Sequence, residues 1–127
     1  EITESVFIEN AKEAAAMLAE LKQFDVQICL DDFGTGYSSL SYLHKFPIDI
    51  VKIDRTFVQG IDTDDEKLEI VRAIISLCHT LGMAVTAEGI ETPEQRDILL
   101  DLGCECGQGY LFAKATDGAT ITRNLQR

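Results

Sequence analysis

The chain alternates between two hydrophobic patterns along its whole length. Residues 9–22 are rich in strong helix formers, whereas the following "VQICLD" alternates apolar and polar positions, which predicts a strand. "SSLSYLHKF" then predicts a short helix and "IDIVKID" a second strand. From Thr63 an apolar stripe at helical spacing predicts a helix that ends at Gly82, and "MAVTAEG" predicts the third strand.

The last third of the chain continues the alternation. Thr92, Pro93 and Gln95 form a capping-box pattern that begins a helix, and Gly103 ends it. "CECGQGYLF" predicts a fourth strand, and the tail from Thr116 a last helix. Strands that alternate strictly with helices are typical of parallel sheets, so the predicted fold class is α/β.

Polar residues recur where the predicted strands end. They are Asp31, Lys52, Glu88 and Gln108, and we interpret Glu1 as the end of an earlier strand. Because side chains alternate between the faces of a strand, each of these residues shares its face with small groups, while the larger aliphatic residues lie on the other face. Polar groups at the carboxyl ends of parallel strands form the active sites of barrel enzymes, so the pattern predicts a site there.

Single residues of this pattern also have simpler interpretations. Asp31 or Asp32 alone would more often be a helix cap or turn residue, Lys52 an edge lysine, and Glu88 a solvated acid. The joint pattern over four strands favours a chemical site. The other acids near strand ends lack this regularity and are predicted to be caps and solvated turns: Asp49, Asp54, Asp62, Asp64 and Asp65.

Composition limits the classes of partner. The 127 residues, 46% of them hydrophobic, allow one domain with a core. A net charge of −11, from 11 basic and 22 acidic residues, disfavours nucleic acid polymers and anionic membranes as partners. A polyanionic ligand would need a metal ion to bind such a chain.

The cysteines and the hydropathy predict a compartment. The four cysteines include no CxxC pair and have only two histidines as possible co-ligands, so we predict buried, reduced thiols. Reduced thiols and the absence of an apolar run of about 18 residues favour a soluble cytoplasmic protein. Because the chain opens on Glu1 rather than Met, we expect it to belong to a longer protein.

Five motifs of the chain resemble one family in order and spacing. "EITES", "DDFGTGYSSL", "PIDIVKIDRTFV", "AEGIET" and "GQGYLFAK" are similar to motifs of EAL domains, the cyclic di-GMP phosphodiesterases of bacterial signalling. The resemblance implies a modified TIM-type (β/α)8 barrel that hydrolyses cyclic di-GMP to linear pGpG with Mg²⁺ or Mn²⁺ in a two-metal site. Such a barrel needs roughly 250 residues, so residues 1–127 would be its C-terminal half, without the upstream "EAL" segment and an asparagine ligand.

The resemblance also assigns roles to individual residues. Glu1 resembles a metal ligand, and Asp31 and Asp32 resemble the paired carboxylates that hold the two cations. Glu88 is similar to the glutamate near the second metal and the attacking water, a candidate general base. Lys52 matches the lysine that contacts this water or the metal-site carboxylates.

Further motif residues surround this centre. Gln108 matches a glutamine that lines the site, and Glu91 another acid at the metal end. Glu4 resembles the glutamate that anchors the loop after the first predicted strand. The flexible loop residues are Phe33, Gly34, Thr35, Gly36, Tyr37 and Ser38.

The adjacent aspartates are suited to binding metal ions. Two hard dications about 3.5–4 Å apart need oxygen ligands, which adjacent aspartates supply. Without the cations, Asp31 and Asp32 would repel each other. Bound metals would also reverse the local field and let an acidic protein hold an anionic dinucleotide.

Two other functions are compatible with this chain. The chain could instead belong to a non-catalytic EAL module that binds cyclic di-GMP or a protein, or to a barrel enzyme that forms a Schiff base on Lys52. For a catalytic EAL domain the resemblance implies cyclic di-GMP as ligand, a homodimer, and sensory or GGDEF-type domains upstream. "FAKA" lacks the proline that commonly follows this lysine in the family.

Overall fold

The strands form one parallel sheet. The computed structural model describes residues 1–5, 10–34 and 40–126. Within these ranges the strands lie side by side in chain order, each parallel to its neighbours. The strands are β1 (Ile2–Thr3), β2 (Cys29–Phe33), β3 (Ile50–Ile53), β4 (Ala84–Ala87) and β5 (Cys106–Gly107).

Helices follow the strands in alternation, as predicted. They are α1 (Ala11–Lys22), α2 (Leu40–Lys45), α3 (Arg55–Val58), α4 (Asp65–Thr80), α5 (Pro93–Asp101) and α6 (Gly118–Leu125). The capping box of Thr92 and Gln95 is present at the start of α5. The fold is that of the C-terminal half of a TIM-type barrel. In the described part of the chain, no helix is both long and apolar enough to cross a membrane.

Several features differ from the sequence prediction, among them β2, which begins at Cys29 rather than Val26 and continues past Asp31 to Phe33. Glu1 precedes β1 rather than ending a strand. The single-turn helix α3 follows β3 directly and was not predicted, because four residues are too few for a hydrophobic stripe. The predicted fourth strand over residues 104–112 is wrong in length, since only Cys106–Gly107 pair with β4 and the chain then turns at Gly109.

The side chain of Glu105 accepts a hydrogen bond from β4 where β5 is too short to pair with it. Glu105 accepts a hydrogen bond from the backbone N–H of Val85 in β4 at 2.8 Å. The other oxygen of the same carboxylate lies 2.7 Å from Nε2 of His79 at the end of α4. Glu105 therefore satisfies a backbone donor of β4 and connects this strand to α4 through His79.

The core lies between the sheet and the helices. The predicted aliphatic face is buried at Leu30, Val51, Ile53 and Val85, which are at most 1% exposed, and each such side chain contributes about 1.5–3 kcal/mol. Val26 is an exception at 42% exposure because it precedes β2. The opposite face carries half-buried groups, as the alternation predicted: Cys29, Ile50, Ala84 and Thr86.

The cysteines have different surroundings. All four are free of disulfide bonds, and Cys78 and Cys104 are buried while Cys29 is half-buried. Cys106 is exposed, so the prediction of buried thiols is wrong there. Burial raises the pKa of Cys78 to about 11, which keeps this thiol protonated and unreactive at neutral pH.

Asp49 joins three elements at the amino end of the sheet. Its carboxylate lies 2.8 Å from Nζ of Lys22 at the end of α1 and accepts the Ile28 N–H at 2.7 Å. Burial raises the pKa of Asp49, but these hydrogen bonds outweigh burial and lower it below its ordinary value. The prediction of a cap or solvated turn is therefore wrong for Asp49, whereas Asp54 and Asp64 do cap helices.

We predict that Asp49→Ala lowers the free energy of unfolding by about 1–2 kcal/mol, because it removes charge-assisted hydrogen bonds that solvent only partly screens. Denaturant unfolding at neutral pH measures the loss. The difference from the wild type shrinks as the pH falls below about 4, through the lowered folded-state pKa of Asp49. Glu69→Ala, which breaks an exposed ion pair with Arg72, is the control. An equal loss in both variants contradicts the prediction.

Candidate metal centre and adjoining cavity

Acids in or beside three other strands converge on Lys52 in β3. Its Nζ lies 2.6 Å from Oε1 of Glu88, 3.2 Å from Oε1 of Glu1 and 3.8 Å from Oδ1 of Asp31. Lys52 itself is only 8% exposed. An ammonium group in this position reduces the repulsion between acids that would otherwise destabilise one another.

The surroundings of Lys52 fix its charge. Burial alone lowers the pKa of Lys52, but the hydrogen bonds with Glu88 and Glu1 and the charges of Glu88 and Asp31 raise it above the ordinary lysine value. Lys52 is therefore a permanent cation and hydrogen-bond donor in this arrangement.

A β-bulge brings two adjacent aspartates to the same site. Between Leu30 and Phe33, β2 advances by three residues while β3 advances by two. Asp32 has a φ of 55°, in the left-handed region, and its N–H donates to Oδ1 of Asp31 at 2.8 Å. Consecutive residues of a regular strand point to opposite faces, so the bulge is what allows both carboxylates to serve one site.

The donor chemistry of the cluster fits a hard divalent cation. Asp31, Asp32 and Glu88 each offer a carboxylate oxygen, and these oxygens lie within 4.8 Å of one another. Carboxylate oxygens are the ligands that Mg²⁺ and Mn²⁺ prefer. Lys52 contacts Glu1, Asp31 and Glu88, and Asp32 lies beside the last two, so among these described residues acids outnumber the lysine and a cation could balance the remaining charge.

A cavity of about 650 Å³ adjoins the cluster. Gln108 lies in its wall and donates from Nε2 to Oε1 of Glu88 at 2.8 Å, and Glu91 lines the same wall. The cavity is formed by the segments that follow β3, β4 and β5. Its lining residues are Asp54, Arg55, Glu88, Gly89, Glu91, Gln108, Gly109, Tyr110, Ala113 and Ala115.

Sequence reasoning missed seven of the ten residues of this wall, among them Asp54, Arg55, Gly89 and Tyr110. Asp54 and Arg55 directly follow β3, so the strand-end signal that found Lys52 could have found them. Tyr110 is 66% exposed, and Nζ of Lys114 lies 5.2 Å from its ring centroid, within the range of a cation–π contact.

Glu4 reaches the start of the loop after β2. Its Oε1 accepts the backbone N–H of Gly34 at 3.2 Å. The preceding Phe33 ends β2 and its side chain is buried in the core, so the prediction that Phe33 belongs to the flexible loop is wrong. Of the predicted flexible loop, Thr35, Gly36, Tyr37 and Ser38 lie outside the described residues.

Comparison with known proteins identifies the family. Residues 1–115 match the model of the EAL domain. The chain belongs to the EAL domain family. It is 42% identical over 126 residues to the cyclic di-GMP phosphodiesterase NbdA of Pseudomonas aeruginosa, an alignment that covers 99% of this chain and 16% of NbdA.

Solved EAL domains share the fold of this chain. The EAL domain of Mycobacterium smegmatis DcpA superposes with a TM-score of 0.91 at 41% identity, covering 98% of this chain and 56% of that one. The manganese and cyclic di-GMP complex of Klebsiella pneumoniae BlrP1 gives a TM-score of 0.80 at 36% identity, over 88% of this chain and 29% of that one. This EAL chain therefore spans about half of the solved DcpA domain and a small part of its curated relatives.

We predict that Glu4→Ala speeds amide hydrogen exchange at Gly34 of this EAL chain about tenfold, because the N–H loses its acceptor. Exchange followed residue by residue by NMR gives the measurement. Ser5→Ala removes an exposed hydrogen bond to Thr3 and is the control. Unchanged exchange at Gly34 in Glu4→Ala, or an equal change in both variants, refutes the anchoring role.

Proposed function

We propose that this chain is the C-terminal half of an EAL domain that hydrolyses cyclic di-GMP to linear pGpG with two Mg²⁺ or Mn²⁺ ions. The observation that carries the proposal is the set of oxygens from Asp31, Asp32 and Glu88, within 4.8 Å of one another beside Lys52. The family membership and the relative named a cyclic di-GMP phosphodiesterase support the choice of reaction.

Four residues of this half would hold the metals: Glu1, Asp31, Asp32 and Glu88. Divalent ions there would supply Lewis-acid activation of water and neutralise charge on the phosphodiester. We assign the remaining ligands, a glutamate in the "EAL" segment and an asparagine, to upstream strands that complete the barrel. The manganese complex of BlrP1 supports a divalent metal in this family.

Glu88 is the proposed general base. Its carboxylate accepts hydrogen bonds from both Lys52 and Gln108, at 2.6 and 2.8 Å, which fix its orientation at the mouth of the cavity. A carboxylate so placed takes the proton of an attacking water at the edge of the metal cluster. Lys52, held as a cation, donates a hydrogen bond to Glu88 and so positions it for this task.

The adjoining cavity suits one portion of the dinucleotide. Its volume of about 650 Å³ lies within the range of about 300–1,000 Å³ typical of small-molecule sites. Arg55 offers a cation for phosphate, and the exposed ring of Tyr110 offers a surface on which a base can stack. Glu91 offers an acceptor for base N–H groups in the same wall.

The resemblance to EAL domains also supports wider proposals. We assign to the complete protein a homodimeric EAL domain, sensory or GGDEF-type domains upstream, and a cytoplasmic site of action. The rival Schiff-base chemistry needs a neutral amine, which the three carboxylates around Lys52 disfavour. The non-catalytic alternative predicts binding of cyclic di-GMP without turnover, so activity measurements separate it from the proposal.

We predict that the domain completed by its upstream half hydrolyses cyclic di-GMP only when Mg²⁺ or Mn²⁺ is present. Release of pGpG, measured by chromatography, should stop in excess chelator and return when metal is added back. The reason is that the carboxylate cluster alone repels the anionic substrate. Full turnover in excess chelator would rule out the two-metal proposal.

We predict that Glu88→Gln and Lys52→Ala each lower kcat by about 10²–10⁴-fold, the range for positioned proton-transfer groups. Steady-state kinetics at saturating metal give the values. Glu94→Gln, an exposed acid in the first turn of α5, is the matched control and should retain the wild-type rate. Near-normal kcat in both site variants would refute the assigned roles.

A further inference from the structure

The backbone at Gly34 lies against the aromatic ring of Phe57. Gly34 has a φ of +92°, and a Cβ built there would lie 2.7 Å from Cε2 and 2.8 Å from Cζ of that ring. Real Cβ atoms essentially never lie this close to another heavy atom, so the ring would have to shift to admit a side chain at position 34. The left-handed conformation favours glycine there, and the absence of a Cβ lets the ring approach this closely.

Gly34 directly follows the bulge that carries the paired aspartates, which lies between Leu30 and Phe33. Leu30 and Phe33 enter the core on either side of Asp31 and Asp32, at 1% and 4% exposure. The left-handed conformation of Asp32 is less favourable than an extended one for a residue with a Cβ, so contacts in its surroundings help to hold it. Beyond Phe33, Gly34 is held by the Glu4 carboxylate and the Phe57 ring.

Phe57 is itself fixed relative to the strand that carries Lys52. It lies in α3, which begins two residues after the end of β3. Asp54 caps this turn by accepting from both N and Oγ1 of Thr56, at 2.8 and 2.6 Å, and Val58 is fully buried. Phe57 is half-buried and packs against the core. The ring therefore links the end of β3 to the end of β2.

We propose that Phe57 is a positioning residue that keeps Asp31 and Asp32 in metal-binding geometry by supporting the backbone at Gly34. The inference rests on the metal site of the proposed function, and it adds a residue with no polar group to that site. Without the ring, Gly34 gains room to move, and the bulge relaxes towards a regular strand in which the two carboxylates diverge.

The test compares two identical substitutions in the domain completed by its upstream half. Phe57→Leu removes the ring at Gly34, whereas Phe46→Leu removes a ring that is 6% exposed and precedes β3 at its amino end. Mn²⁺ affinity is measured without substrate, from the electron paramagnetic resonance signal of free Mn²⁺, and thermal melting is recorded for both variants. We expect Phe57→Leu to raise the Mn²⁺ Kd about tenfold, and Phe46→Leu to change it less than about twofold at a similar loss of melting temperature.

A double-mutant cycle tests whether the effect passes through Gly34. Gly34→Ala alone should weaken Mn²⁺ binding, because its Cβ meets the Phe57 ring. Combining Gly34→Ala with Phe57→Leu makes room for the Cβ, so the joint loss should be smaller than the product of the single losses. Purely multiplicative losses would contradict a contact between these two positions and overturn the inference.

The other outcomes separate this inference from the proposed function. Wild-type Mn²⁺ affinity in Phe57→Leu, in a domain that still hydrolyses cyclic di-GMP, overturns the role of Phe57 and leaves the proposed function intact. A wild-type domain that neither binds Mn²⁺ nor turns over cyclic di-GMP overturns the proposed function and, with it, this inference.

Discussion

Repulsion between carboxylates at the carboxyl edge of the sheet is the constraint on which the site depends. The parallel order of the strands brings Asp31, Asp32 and Glu88 together there, and the side chain of Glu1, which precedes β1, reaches Lys52 in the same place. Lys52 opposes part of the repulsion from the middle of the group, at 2.6 to 3.8 Å from three of the acids. One cation cannot balance four anions, and the remaining charge makes the edge receptive to metal ions.

The bulge in β2 is the second condition, because alternation would otherwise separate Asp31 from Asp32. One extra residue in β2 and the left-handed conformation of Asp32 bring the carboxylates of Asp31 and Asp32 to one site. The strain has to be held in place, and the burial of Leu30 and Phe33 with the packing at Gly34 provides the restraint. In this short segment, the residues that pack the core therefore also determine the geometry of the site.

Sequence reasoning found the features that follow from periodicity. Strand alternation placed Asp31, Lys52 and Glu88 at one edge, and the pairing of β3 with β4 brings the last two within hydrogen-bond distance. Periodicity could not reveal the bulge, since a doublet of acids reads the same in a regular strand. The turn at Gly109 and the cavity beyond it arise from contacts between distant loops. Asp49 was misread because its partners, Lys22 and Ile28, lie more than 20 residues away in sequence.

Asp49 and the carboxylates around Lys52 lie at opposite ends of the sheet and differ in how their charge is balanced. At the amino end, the Asp49 carboxylate meets one lysine and one backbone N–H, so its charge is matched within the chain. At the carboxyl end, Lys52 is shared among several acids and the charges do not cancel. A matched pair stabilises the fold whatever binds, whereas an unmatched cluster gains stability from any cation that binds to it. The same residue type is therefore neutralised within the chain at one end of the sheet and, in the proposed function, by metal ions at the other.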